Sequence, residues 1–217
     1  MILSGYGWQW GSGVKVEDAG ELTPKGRATR DRVVAAAADL MFEQGVAGTS
    51  LQDVQQAARV SGSQMYHYFG DKASLVHAVI AWQGETLLGR QWPWLSRIDS
   101  LPGIRAWRDL VVSTMRRHQC RGGCPIGSLA SELSDLDPAA RSGLAAAFQR
   151  WISAIRDGLQ AMQDRGELRA DADIPRLACA LMAAAEGGLL LAKAQRDVAP
   201  LEAALDTVID HIASLTA

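Results

Sequence analysis

The strongest constraint on this 217-residue chain lies between Ser50 and Lys72, in SLQDVQQAARVSGSQMYHYFGDK. Apolar residues at helical spacing follow Ser50, and Asp53 stands three residues after it, which is the pattern of a capped helix start. A tight turn at residues 59–61 then leads to Ser61, a suitable N-cap for a second short helix. Two short helices joined by such a turn indicate a helix-turn-helix.

The second helix of this pair, predicted over Gly62 to Phe69, is crowded with hydrogen-bonding side chains. A helix that reads DNA must be short and must offer donors and acceptors to base edges in the major groove. These side chains fit that need: Ser63, Gln64, Tyr66, His67 and Tyr68. On spacing alone, a helical hairpin that binds nothing is an equal alternative.

Charge and composition neither require nor exclude nucleic-acid binding. The net charge is −2, so a DNA-binding surface must draw on local positive charge, at residues 25–32 and Lys72. The longest apolar stretch, residues 177–194, is interrupted by Glu186, Gly187 and Gly188, and three cysteines fit a reducing compartment. These features predict a soluble, cytoplasmic protein.

The sequence pattern predicts an all-α fold. Residues 1–22 are Gly-rich without periodicity and are predicted to be a disordered extension rather than a phosphate loop. Thr23 and Pro24 open a first helix that Gly45 is placed to end. A further helix is predicted from Asp71 to about Gly89, and residues 91–94 are expected to break it. Residues 23–80 are thus predicted to form the helix-turn-helix domain and residues 81–217 a second helical domain.

The run from Thr23 to Ile80 resembles the DNA-binding domain of the tetracycline-repressor (TetR) family of bacterial regulators. The resemblance rests on Gly45-x-x-x-Thr49-Ser50-Leu51-x-Asp53-Val54, Ala58-x-Val60-Ser61-x-Ser63 and Tyr66-His67-Tyr68-Phe69-x-Asp71-Lys72-x-x-Leu75. One position departs from the family pattern: Arg59 stands where the family usually has Gly, so an L-residue must adopt the backbone of the turn.

The residues expected to contact DNA combine the helix-turn-helix pattern with this resemblance. Gln64 suits a bidentate contact to adenine, and Tyr66 and His67 reach phosphates at matching positions in the family. Arg27 and Arg30 lie one turn apart and can point toward a phosphate, or can form a solvated charged face. The full set is Arg27, Arg30, Thr49, Ser50, Ser61, Ser63, Gln64, Tyr66, His67 and Lys72.

The resemblance also implies a homodimer and a ligand cavity. In the family the last two helices pair with those of the partner subunit, and two recognition helices read a palindromic operator. A small-molecule inducer would bind inside the helical domain. Aromatic ligands favour aromatic and Met walls, for which the candidates are Trp107, Met115, Phe148, Trp151 and Met182; plain core residues are the alternative.

A second, shorter resemblance concerns residues 123–133, GCPIGSLASEL. This segment is similar to one found in the LmrA/YxaF-type subgroup of the family, some members of which respond to flavonoid-like aromatics and control efflux or degradation genes. Its amide-rich start could face a polar group of a ligand. The alternative is a structural junction between a loop and a helix.

Two other interpretations stay open. Cys120 and Cys124 could form a thiol-based redox sensor, whereas with His118 they supply only three metal ligands, so no metal site is predicted. No enzyme motif and no cofactor signature is present. The second open interpretation is a helical small-molecule-binding protein that does not bind an operator. The favoured interpretation is a TetR-type repressor, not an enzyme, released from its operator by a small hydrophobic or aromatic ligand.

Overall fold

The computed structural model describes residues 22–216, so the extension predicted for residues 1–22 lies, apart from Leu22, outside the described residues. Within that range the chain forms helices and, instead of a β-strand, a single antiparallel bridge between Leu168 and Thr216. The helices are α1 Pro24–Gly48, α2 Leu51–Ala58, α3 Gly62–Tyr68, α4 Lys72–Leu95, α5 Leu101–Arg117, α6 Pro125–Leu133, α7 Pro138–Asp164, α8 Ile174–Gln195 and α9 Ala199–Ser214. The all-α prediction is confirmed.

Helix α1 begins as predicted and bends near its end. The Thr23 hydroxyl accepts the N–H of Gly26 at 3.1 Å, and Pro24 occupies the first helical position. Gly45 has φ +79° and ψ 165°, which breaks the helical path before one further turn leads to Gly48. Glycine tolerates this backbone because it carries no Cβ.

The first three helices and the start of α4 enclose one apolar core. Each helix contributes at least one side chain that is no more than 3% exposed. These side chains include Val33, Val34 and Ala37 of α1, Val54 of α2, Met65 of α3, Phe69 after it, and Leu75 and Val79 of α4. The core holds the turn between α2 and α3 against α1.

Helix α4 is longer than its sequence predicts. The expected break at residues 91–94 is wrong, because the helix passes through Pro93 and ends at Leu95. Proline removes one N–H from the helix, which leaves the carbonyl of Gly89 without its usual partner. Gly89 is solvent-exposed, so water can satisfy that carbonyl. The domain border predicted at residue 80 therefore falls inside a continuous helix.

Helices α5 to α9 pack with α4 into the larger part of the molecule. Arg108 of α5 forms a two-pronged ion pair with Asp206 of α9, with N···O distances of 2.8 and 2.7 Å. A Cβ on Gly188 of α8 would lie 2.8 Å from the Cα of Leu201, so α8 and α9 approach closely there. Helix α8 is long and apolar enough to meet a membrane-span criterion, yet it packs between α7 and α9.

Candidate DNA interface and ligand cavity

The turn between α2 and α3 is a Schellman motif centred on Arg59. The N–H of Val60 donates to the carbonyl of Gln55, and the N–H of Arg59 donates to that of Gln56, both at 3.2 Å. Arg59 has φ 52° and ψ 52°, the left-handed conformation that Gly usually supplies at this position. The turn geometry expected from the helix-turn-helix pattern is therefore present, with an L-residue in a strained backbone.

Both helices of the motif begin with a capping box. The Ser50 hydroxyl accepts the N–H of Asp53 at 3.1 Å, and the Asp53 carboxylate accepts the N–H of Ser50 at 2.9 Å. Hydrogen bonds from the Ser50 side chain and backbone lower the pKa of Asp53. At the second helix the Gln64 Oε1 accepts the N–H of Ser61 at 2.9 Å. The sequence signal for this second box is the pattern Ser-x-x-Gln at residues 61–64.

Helix α3 turns one face to the core and the other to solvent. Met65 is buried, whereas Ser63, Tyr66 and His67 are exposed, Tyr66 with 73% of its surface accessible. The rings of His67 and Tyr68 meet edge to face with centroids 5.1 Å apart. Exposed hydroxyl and imidazole groups on a short helix are able to donate to phosphate oxygens or base edges.

The predicted basic residues flank this helix. Arg30 of α1 stacks over the Phe69 ring with its Cζ 5.2 Å from the centroid, and Arg27 donates to the carbonyl of Leu22 at 2.6 Å. Lys72 is half-buried at the start of α4; burial lowers its pKa, while the charges of Glu132 and Asp53 oppose that change.

Thr49 is the predicted DNA residue that the structure places elsewhere. Its side chain is 1% exposed, and its hydroxyl donates to the carbonyl of Gly45 at 2.8 Å. A buried hydroxyl paired in this way closes the bend at the end of α1 and offers nothing to DNA. The remaining predicted residues, Arg27, Arg30, Ser50, Ser61, Ser63, Gln64, Tyr66, His67 and Lys72, have exposed or partly exposed side chains.

A cavity of about 770 Å³ lies in the larger part of the molecule. All five residues predicted to bind a ligand line it: Trp107, Met115, Phe148, Trp151 and Met182. Aromatic and aliphatic neighbours complete the walls, among them Phe42, Trp82, Leu87, Trp94, Leu110, Val111, Ile126 and Leu189. The volume and the apolar lining match those of small-molecule sites.

Three polar side chains inside this lining were not predicted from the sequence. The Gln91 Oε1 accepts both indole N–H groups, from Trp107 at 3.0 Å and from Trp151 at 3.2 Å. Gln83 also lines the cavity and is 8% exposed, and Glu186 is half-buried at its edge. Gln83 and Gln91 share one face of α4, but the sequence does not show that this face meets a cavity, because the opposing side chains come from other helices.

The two cysteines of the loop before α6 are unlike a reactive thiol pair. Cys120 is buried, and the Cys124 sulfur caps α6 by accepting the N–H of Gly127 at 3.4 Å. Burial and then the nearby Glu186 charge raise the pKa of Cys124 strongly, and burial raises the pKa of Glu186. A thiol held in its neutral form is a poor nucleophile. Among residues 22–216 no group of three His, Cys, Asp or Glu side chains is arranged for a metal.

Helices α1 and α6 connect the cavity to the helix-turn-helix. Asp39 and Phe42 of α1 line the cavity, as do residues 124–126 at the start of α6. At the other end of α6 the Glu132 Oε2 accepts the N–H of Val46 at 2.8 Å, next to the Gly45 bend. An occupant of the cavity would thus touch elements that also hold the DNA-reading helices.

Comparison with known proteins agrees with this geometry. Residues 33–79 match the family model "Bacterial regulatory proteins, tetR family", and residues 100–208 match "Tetracyclin repressor-like, C-terminal domain". An uncharacterized HTH-type transcriptional regulator of Lactococcus lactis subsp. lactis is 31% identical over 83% of this chain and 91% of its own length. The chain belongs to the TetR family.

Other TetR-family proteins extend the comparison. A TetR transcriptional regulator from Chloroflexus aurantiacus, solved as a crystal structure, is 31% identical, with a TM-score of 0.77 over 89% of this chain and 98% of its own. The HTH-type transcriptional regulator LmrA of Bacillus subtilis is 26% identical over 80% of this chain and 90% of its own length. TetR-family regulators are soluble cytoplasmic proteins that bind operator DNA, dimerise and take small-molecule ligands, and they are generally not enzymes.

Proposed function

We propose that this protein is a cytoplasmic, homodimeric repressor that leaves a palindromic operator when a small hydrophobic or aromatic molecule fills its cavity. One observation carries the proposal: two helices that line the cavity, α1 and α6, also hold the helix-turn-helix in place or contact the helix that does. Helix α1 supplies Phe42 to the cavity and packs against α2, and α6 runs from the cavity at Cys124 to the Val46 amide through Glu132.

The proposed release works by a shift between two conformations. A ligand changes the balance only if it binds one conformation more tightly than the other. A bound ligand that presses on Phe42 or on the start of α6 would favour a conformation in which α1 and α6 have moved apart. The two recognition helices of the dimer would then no longer match successive major grooves.

Dimerisation through α8 and α9 is supported by the surface of α8. Leu190 and Leu191 are 64% and 49% exposed, and α8 also carries Ala and Gly residues that permit close helix approach. Large exposed apolar side chains on one helix favour contact with another protein surface. A second copy of α8 and α9, related by a two-fold axis, would cover them.

The redox-sensing alternative loses support from the state of the thiols. Cys124 caps a helix and its raised pKa disfavours the thiolate, while Cys120 is buried away from an oxidant in solution. The alternative without operator binding differs from the proposal in one measurable respect, namely whether any DNA sequence is preferred.

Selection from a pool of random DNA duplexes tests the proposal. The full-length protein is incubated with the pool, bound duplexes are recovered through several rounds, and the enriched sequences are read. The proposal predicts an inverted repeat whose half-sites face the same side of the duplex. Enrichment of a single half-site would contradict the dimeric reading, and the absence of any enriched sequence would favour the ligand-binding protein without an operator.

A further inference from the structure

We propose that the cavity selects uncharged aromatic ligands that carry an oxygen acceptor, a carbonyl or hydroxyl, and that Gln91 donates the hydrogen bond that reads this oxygen. The proposal deepens the proposed function, since it assigns a ligand class to the cavity taken there as the inducer site. It rests on the orientation of the Gln91 amide and on the Gln83 amide, which has no hydrogen-bond partner among residues 22–216.

The two tryptophans fix the orientation of the Gln91 amide. Indole N–H groups donate and cannot accept, so the Gln91 atom that faces both Trp107 and Trp151 must be the oxygen. The amide nitrogen then lies on the other branch of the side chain. Within the described part of the chain, that nitrogen has no acceptor, and the residue lines the cavity. Gln91 therefore presents N–H donors to whatever fills the cavity.

Gln83 adds a second unmet group. Its side chain lines the same cavity, is 8% exposed, and forms no hydrogen bond to any residue in the range 22–216. The Gln83 amide is therefore available to a polar ligand atom or a bound water in the cavity. Gln83 and Gln91 belong to the same helix, α4, two turns apart, so one ligand with separated polar atoms can meet both.

The surroundings of these amides favour a neutral partner. Four tryptophans line the cavity; of its two carboxyl residues, Asp39 is exposed, whereas Glu186 is half-buried and has its pKa raised by burial, which favours its uncharged form. The basic side chains of the lining, Arg90, Arg117 and Arg121, are exposed and lie in reach of solvent. A charged ligand group placed among the indoles would lose its hydration without a buried counter-charge.

A matched set of three tricyclic probes tests this class. Fluorene offers no acceptor, 9-fluorenone adds one carbonyl oxygen to the same flat frame, and fluorene-9-carboxylate adds a charge. Dissociation constants are measured by calorimetry on the full-length protein without DNA. We expect 9-fluorenone to bind roughly three- to tenfold more tightly than fluorene, the effect of one net hydrogen bond, and the carboxylate to bind more weakly than 9-fluorenone.

Gln91→Glu isolates the donor. A carboxylate still accepts both indole N–H groups, and those donors favour its ionised form, but it has no hydrogen to give to a ketone. At alkaline pH, where the new carboxyl is ionised, the variant is expected to lose the preference for 9-fluorenone over fluorene; its thermal unfolding midpoint is measured alongside to check the fold. Gln91→Met serves as the second variant if the glutamate variant does not fold.

Several results would overturn the inference. The wild type could bind fluorene and 9-fluorenone with equal affinity, or the preference for 9-fluorenone could survive in both Gln91 variants. Fluorene-9-carboxylate could bind more tightly than 9-fluorenone, or neither neutral probe could bind up to its solubility limit. DNA selection with the same protein keeps the two proposals distinct. A preference for 9-fluorenone without DNA binding would contradict the proposed repressor and support the ligand class. DNA binding without that preference would support the repressor and contradict the ligand class.

Discussion

The Glu132 carboxylate accepts the backbone N–H of Val46 at 2.8 Å, across 86 residues of sequence. This bond ties the last turn of α6 to the bend of α1 at Gly45, where the helical hydrogen-bond pattern is interrupted. Glu132 also acts electrostatically on Lys72, at the first position of α4. One carboxylate therefore links the helix that begins at the cavity to two elements of the DNA-binding part.

Removal of this link should weaken communication between cavity and DNA. Glu132→Ala leaves the N–H of Val46 without an acceptor, and Val46 is only 8% exposed. The change should therefore lower the free energy of unfolding by about 1–3 kcal/mol. The DNA complex of this variant should need more ligand for release. Urea denaturation and ligand titration of the DNA complex measure the two effects. Glu132→Gln keeps an acceptor oxygen and is the matched control; an unchanged ligand response in the alanine variant would refute the link.

Gly188 should not tolerate a side chain. An alanine Cβ there would lie 2.8 Å from the Cα of Leu201, a backbone atom that cannot turn aside, so Gly188→Ala should destabilise the fold by about 1–3 kcal/mol. Gly89 of α4 is the control, because a Cβ there meets nothing within 4 Å and Gly89→Ala should be neutral or stabilising by up to about 1 kcal/mol. Thermal unfolding at one fixed protein concentration compares them. Equal midpoints would contradict the close approach of α8 and α9.

Arg59 offers a stabilising change. The residue holds the left-handed conformation, which costs an L-residue roughly 1–2 kcal/mol and costs Gly nothing sterically, so Arg59→Gly should raise the free energy of unfolding by about 1 kcal/mol after the entropy of Gly is deducted. Arg59→Ala keeps the Cβ and should gain little. Chemical denaturation distinguishes the variants. A gain of the same size in the alanine variant would show that the arginine side chain, rather than its backbone, limits stability.

Gln64 and Lys72 should affect DNA binding in different ways. Gln64 lies exposed near the start of α3, so Gln64→Ala should change which bases are preferred at one position of each half-site. Lys72→Ala should weaken binding to all sequences by a similar factor, as expected for a phosphate contact. Affinities for the selected operator and its single-base variants measure both. Equal loss of affinity for every sequence in both variants would contradict this distinction.

Local chemistry made the helix-turn-helix predictable. The caps at Thr23, Ser50 and Ser61 and the apolar face of α2 are properties of neighbouring residues, and each appears in the structure as its spacing indicates. The strain at Arg59 also follows from one position in a known turn. The helix break predicted at Pro93 is wrong, because α4 continues to Leu95. A proline late in a helix removes one hydrogen bond, here at an exposed carbonyl, and the packing of α4 tolerates that loss.

The polar interior of the cavity could not be predicted in this way. Gln91 meets Trp107 and Trp151 from three different helices, and the Glu132 contact with Val46 joins two others. Such pairs depend on how helices pack, which periodicity does not reveal. Thr49 shows the reverse error: its family position indicated DNA, and its burial shows a role in closing the bend of α1.

Sequence-specific DNA binding is measured most directly by fluorescence anisotropy. Labelled duplex from the region upstream of this protein's own gene is titrated with protein at several salt concentrations, beside a scrambled duplex of the same composition. We expect tight binding to the native fragment alone, with an affinity that falls steeply as salt rises because bound phosphates release counterions. Absence of binding to both duplexes at low salt would show that the protein does not bind DNA in the way proposed.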